Sequence, residues 1–215
     1  MAIQNILPDP NNKITASGQA SDSGNAGPGF ASVKLSSDQK IMTDRTNSGR
    51  VLNRCNSYQT WSVDISYNPM TREEFDPVYA FLLEKQVSLR PFFVSLPQYR
   101  DQGITNKSVS VAKDAGAYTL TLNDFGSSDI SVGALFNVSD PNDSTHTKAY
   151  MVTRVDAATN VITFTPALAK DVSSSAELDF TNPLIRVIQQ GKTQNYSLNT
   201  ENLYSFSLKL QEANS

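Results

Sequence analysis

The stretch WSVDISYNPMTREEFDPVYAFLLEKQ, residues 61–86, decides the fold. It opens by alternation, with Trp61, Val63, Ile65 and Tyr67 in one set and Ser62, Asp64 and Ser66 in the other. A two-residue period places the sets on opposite faces of a strand, one dry and one wet. Asn68-Pro69 then breaks the strand. Thr71-Arg72-Glu73-Glu74 has the spacing of a capping box, Thr71 bonding forward and Glu74 reaching back. Phe75, Val78, Tyr79 and Leu82 fall at helical spacing, so a helix runs to about Lys85. Pro77 complicates its start, because an interior proline forfeits a backbone bond and crowds the preceding turn. A second start is open, with Asp76 as N-cap and Pro77 at the first helical position. Phe81 and Leu83 flank Leu82, so the end of the helix should be buried on more than one side. This is the one substantial helix in a chain of strand-type sequence. The reading makes it a packing element, a wedge fastening two sheets, and not a carrier of chemistry.

Working outward, residues 1–29 are rich in Pro, Gly, Asn, Ser and Asp and cannot form a core of their own. They read as an extended arm that orders only in an assembly, against a neighbouring copy. From Phe30, Ala31, Val33 and Leu35 alternate with Ser32 and Lys34 as a half-buried strand. Val51 and Leu52 follow the polar runs SSDQK and TDRTNSGR. Beyond the helix, LRPFFVSLPQY holds an apolar run bracketed by Pro91 and Pro97, which suits an edge strand or a short central one. The character changes after Ile104. Val109 and Val111, a turn around Asp114–Gly116, then Tyr118, Leu120 and Leu122 read as a hairpin. DISVGALFNVSDP adds a short strand, and Tyr150–Val155 with Val161–Phe164 forms a second hairpin closed by DAATN. Four or five short strands with tight turns are the pattern of a small barrel. Longer strands return at LIRVIQQ and at Tyr204, Phe206, Leu208 and Leu210. A final strand of that quality needs a partner, and the N-terminal part supplies one. The domains expected are therefore a β domain from 30–105 and 180–215, with an inserted small β-barrel at 106–179.

Composition narrows the function. The chain has 215 residues, enough for a real core, and only 18% are charged. The balance is Ser, Thr, Asn and Gln, which suit strands and turns better than free helices. Net charge is −3, so no basic field draws in nucleic acid. No apolar run is long enough to cross a bilayer. MAIQNILPDPNNK has neither the basic region nor the apolar core of a secretory signal.

No catalytic constellation emerges. The single cysteine, Cys55, excludes an intrachain disulfide and reads as a small residue in a strand. The single histidine, His146, lies in the polar stretch DPNDSTHTK; a Cys–His pair would need the two to meet beside an orienting third group. Glu73 and Glu74 sit where carboxylates favour a helix dipole. Asp140, Asn142 and Asp143 offer oxygens for calcium but lack the loop glycine and distal glutamate, so they read as a polar hairpin loop. The GNAGPG run has no following helix or Lys-Ser/Thr pair, so it is no phosphate cradle. Arg45, Arg50 and Arg54 cluster around strand starts. On a net acidic chain they suit salt bridges between subunits better than nucleic acid. Trp61, Tyr67, Phe75, Tyr79, Phe81, Phe92, Phe93 and Tyr99 could line a sugar groove, but at strand and helix spacing they read as core. No catalytic, cofactor-binding or metal residue is expected.

The segment SGRVLNRCNSYQTWSVDISYNPMTREEFDPVYAFLLEKQVSLRPFFVSLPQY resembles the tail and baseplate structural proteins of tailed bacteriophages, the distal tail protein family. The shared pattern is a Trp strand, a Pro-Met-Thr-Arg-Glu helix start, a helix with Ala-Phe-Leu, then F-x-V-x-L-P. It covers about residues 48–100, and VGALFNVSDP and KAYMVTRVDAATNVITFTPAL extend it over about 130–168. The family's usual glycine at the helix exit is replaced by Gln86-Val87-Ser88. The resemblance implies a mainly β, tail-tube-like β-sandwich or split barrel with one packed helix, and some members carry an inserted small barrel. It implies a structural virion protein, not an enzyme. Its place would be a hexameric distal tail or baseplate ring, joined to tube and hub proteins, with DNA passing transiently and no membrane. Two alternatives stay open: a carbohydrate-binding module, and a head–tail connector or tail tube subunit.

Overall fold

The strands follow the apolar alternation read along the chain. The computed structural model describes residues 5–10, 27–55, 59–123, 125–126, 128–191 and 195–213. Along them run β1 (Phe30–Asp38), β2 (Ile41–Arg45), β3 (Val51–Cys55), β4 (Thr60–Tyr67), α1 (Arg72–Glu84) and β5 (Phe92–Ser95). Six short strands follow: β6 (Lys107–Ser108), β7 (Thr119–Thr121), β8 (Leu135–Ser139), β9 (Ala149–Asp156), β10 (Val161–Thr165) and β11 (Glu177–Asp179). The chain ends in β12 (Leu184–Gln189), β13 (Tyr196–Leu198) and β14 (Tyr204–Glu212). The protein is mainly β, with one α-helix among the described residues. Its packing divides into two units. One draws on Met1–Ser36, Ser62–Leu96 and Ile185–Asn214, the other on Ser37–Trp61 and Pro97–Leu184.

In the first unit the strands are ordered β1-β4-β14-β12-β5, with β13 also pairing β14. The last strand therefore lies between strands from the two ends of the chain. Val63 opposes Leu210 and Ile65 opposes Leu208, and all four are buried. The alternation of both strands thus falls on one dry face, which fixes their register against a one-residue slip. Helix α1 starts at Arg72, so the first of the two expected starts is the one used. The Thr71 N–H and hydroxyl both donate to Glu74 Oε2, at 3.0 and 3.1 Å. Pro77 therefore lies inside the helix and leaves the Glu73 carbonyl without its i+4 donor.

Phe75 packs on Phe206 and Phe81 on Phe92, with ring centroids 6.1 and 5.5 Å apart. Both partners belong to one sheet, so α1 fastens strands of a single sheet and does not wedge between two. Leu83, expected inside, is 53% exposed. Phe81 and Leu82 already cover the sheet, and a third adjacent position of a helix must point elsewhere.

Part of the expected arm is anchored on the chain's own sheet. Ile6 bridges Phe93 in parallel, the Leu7 N–H donates to the Phe93 carbonyl, and the Phe93 N–H donates to that of Asn5. Tyr67 Oη donates to the Pro8 carbonyl at 3.2 Å, and Leu7 and Asp9 are buried. For these residues the expectation of order only against a neighbour does not hold. A free β5 edge and a buried apolar site at Leu7 give them partners within the chain. Residues 1–4 and 11–26 of that span lie outside the described residues.

The second unit holds the sheet β6-β11-β8-β9-β10-β7, with every neighbouring pair antiparallel. It closes on itself, because Val109 bridges Leu122 and the Ser110 N–H donates to the Thr121 carbonyl. Closure removes the sheet edges. The interior is filled by Leu120, Leu122, Phe136, Tyr150, Phe164 and Phe180, among others. The hairpin expected over Val109–Leu122 is shorter than its alternation suggests. Past Ser110 the backbone leaves its partner, and Lys113 pairs with Val172 while the Gly116 N–H donates to Leu168. Val111 and Tyr118 are therefore exposed.

Candidate functional site

The residues whose types could carry chemistry are engaged in structural contacts. His146 is buried, with Nε2 2.8 Å from Tyr150 Oη, which also accepts from the Ala169 N–H at 2.9 Å. Burial holds its imidazole below the usual range; Asp143 pulls upward, Lys170 pushes down, and Asp140 pulls upward again. Cys55 lies in β3, opposite Ile41. Asp140 accepts from the Asn142 N–H, the Ser173 N–H and the Ser173 hydroxyl at 2.9, 2.7 and 2.8 Å. Asp143 accepts from the Thr145 N–H and hydroxyl and faces Lys170 Nζ at 3.5 Å. These oxygens tie two loops of the barrel together. Burial raises the Asp140 carboxyl, but its three donors outweigh that and hold it low, while the Thr145 donors lower Asp143. Among the described residues no group of three His, Cys, Asp or Glu side chains is placed to hold a metal. Glu74 caps α1, and Glu73 is exposed beside it.

Trp61, Tyr67, Phe75, Phe81 and Phe92 are core residues, while Tyr79, Phe93 and Tyr99 are half-buried. The row offered for a sugar groove is therefore mostly inside the protein. Burial, with the Asp9 carboxylate adding to it, pushes the Tyr67 hydroxyl well above its usual range.

Among the described residues, two surface patches gather apolar and charged side chains. One is the β2–β3 hairpin. Its pairing runs from Ile41 opposite Cys55 to Arg45 opposite Val51. The turn is closed by the Thr46 N–H donating to Arg50 and the Gly49 N–H to Thr46, with Gly49 at φ 83°. Only glycine takes that conformation without strain. Every side chain described in the two strands is exposed, including Ile41, Met42, Val51 and Leu52. Arg45, Arg50 and Arg54 are carried there, with no ion pair among the described residues.

The other patch is the outer side of α1 with β13. Phe75 stacks on Tyr204 at 4.5 Å and meets Tyr196 at 5.0 Å, and Tyr79 meets Tyr196 at 5.5 Å. Tyr196 and Leu198 stay about half exposed, at 50% and 51%. Exposed Glu73, Glu74 and Asp76 lie on the same helix, and Glu201 lies in the turn after β13. Sequence reading singled out the arginines but missed β2 and β13. Each is short, and neither buries a face that would show as alternation. The one signal was a pair of apolar residues on either side of the TNSG turn.

Two comparisons with known proteins bear on these surfaces. The family model described as distal tail protein pb9, A domain, N-terminal, matches residues 7–99. Distal tail protein pb9 of Escherichia phage T5 is 31% identical over 196 residues, covering 87% of this chain and 93% of the relative.

Proposed function

The chain belongs to the distal tail protein pb9 family and is a structural part of a phage virion tail; on that premise we propose that copies of it close into a ring, a hexamer, joining the tail tube to the tail tip around the DNA path. The observation that carries this reading is the β2–β3 hairpin. A two-stranded hairpin is marginal in water by itself. This one leaves four large apolar side chains exposed and three arginines without an ion pair among the described residues. Such an element is stabilised by a surface on another molecule. When one patch meets a different patch of the next copy, the contact repeats head to tail and closes if the rotation allows. A net charge of −3 suits a channel that lets DNA pass without adhering. The family relationship favours the distal position over a tube or connector role. We read the chain as non-enzymatic.

Negative-stain images of the purified protein, taken beside sedimentation velocity over a concentration series, test the ring. Annular particles with a central opening, and a sedimenting species several times the 23.5 kDa chain, are expected. A single monomeric species at every concentration overturns the reading.

A further inference from the structure

We propose that the β2–β3 hairpin of one copy docks on the α1–β13 face of the next. This inference rests on the ring reading and names its contact. The two patches are complementary in charge. Between Asp38 and Arg54 the chain carries Lys40, Arg45, Arg50 and Arg54 against Asp38 and Asp44, a net +2. With −3 overall, the remainder of the chain holds −5. The α1–β13 face has Asp76 beside Tyr79 on the helix and Glu201 in the turn after β13, against Arg72, which already faces Asp76 at 3.3 Å.

The patches also match in apolar chemistry. The hairpin offers aliphatic side chains on both of its faces, because Ile41 and Met42 are adjacent in a strand, as are Val51 and Leu52. The receiving face offers Tyr196, Tyr79 and Leu198, with Phe75 beneath them. Tyrosine and arginine are the residues that carry binding energy at protein interfaces. Aliphatic residues would gain little on a phosphate backbone, where contacts are made by cations and polar groups. That is why a second copy, rather than DNA, is the occupant the chemistry selects. The contact joins unlike patches, so one copy both gives a hairpin and receives one, as a closed ring requires.

The test reverses charges on each side of the contact. Arg45→Glu with Arg54→Glu changes the hairpin, and Asp76→Lys with Glu201→Lys changes the face. All four positions are exposed, so the fold should be kept. Glu74 is left alone because it caps α1. Self-association is read by sedimentation velocity, and duplex DNA binding by fluorescence anisotropy. Each reversed pair alone should weaken self-association at least tenfold, and the chain carrying both should recover most of the loss. Ile41→Ser with Leu52→Ser should weaken it without recovery by the face variant.

Unchanged assembly in the singly reversed chains overturns the proposal while the ring stands. So does failure of the doubly reversed chain to recover. Reversal that abolishes DNA binding and spares assembly assigns the hairpin to DNA instead. A wild-type chain that never associates overturns the ring and this contact together.

Discussion

At the scale of single residues, the helix exit holds the clearest conflict between local preference and fold. Gln86 and Val87 both take left-handed backbone conformations, at φ 51° and 58°. The Gln86 N–H donates to Leu83 and the Arg90 N–H to Lys85, so the turn is held by backbone bonds. A β-branched residue is a true outlier in that region, where its Cβ crowds the following carbonyl. Glycine would fit here without that conflict, since it has no Cβ to crowd. Val87→Gly should relieve about 1–2 kcal/mol of strain. Glycine's greater unfolded-state entropy offsets about 0.5–1 kcal/mol of it. A net gain of up to about 1.5 kcal/mol, seen as a higher urea midpoint at unchanged slope, is the expected result. A lower midpoint would mean that the half-buried Val87 side chain contributes more than its backbone costs. That no glycine follows the helix at residues 86–88 is visible in the sequence. That Val87 would be forced left-handed is not, because it depends on the turn made by residues 85–90.

Among the elements, those that bury one face were legible and those that bury none were not. The faces read for β4 and β14 are the buried ones, with Val63, Ile65, Leu208 and Leu210 at 1% exposure or less. Helix α1 was legible from its cap and its spacing, and the six-stranded barrel from its short strands and turns. Strands β2, β11 and β13 left no alternation: two bury nothing described, and β11 has three residues around Leu178. The fate of residues 5–10 was illegible for a different reason. Their composition is that of a loop, and only the neighbouring β5 edge gives them a place. Gly27 marks how tightly that place is built. A Cβ added there would lie 2.8 Å from both the N and the O of Asp9, and the Gly27 N–H donates to that carbonyl. Backbone at that distance cannot yield as a side-chain tip can. Gly27→Ala should therefore displace the segment, free Leu7 and break the Tyr67–Pro8 bond, at a cost of about 2–3 kcal/mol. Hydrogen exchange should show lost protection at Leu7 and Phe93, whose amides bond across this edge. Unchanged protection there, with unchanged stability, would mean that the close approach relaxes without moving the strand.

For the whole molecule, the question is whether the second unit's long segment is a self-contained insertion. The first unit draws on three separate spans, and its strands on either side of Pro97–Leu184 are β5 and β12. Those two strands are neighbours in one sheet. Adjacent strands lie about 5 Å apart, and a strand the length of β5 spans about 13 Å. The gap left by removing the segment is therefore about 5–14 Å, whichever way the strands run. A linker of about eight Gly and Ser residues has an end-to-end reach of about 15 Å and covers both cases. The sequence reading drew the insertion at 106–179 from strand character alone, and the packing of the chain makes 97–184 the span to remove. A chain joining Leu96 to Ile185 through such a linker should keep its β circular dichroism and unfold cooperatively in urea. Its slope should fall to roughly three-fifths of the full chain's, because the slope follows the surface exposed on unfolding. It keeps both the hairpin and the α1–β13 face, so it should also assemble as the full chain does. A chain that is unfolded, or that melts without a cooperative transition, would show that the two units fold as one body. A chain that folds but stays monomeric would place part of the assembly contact in the removed barrel.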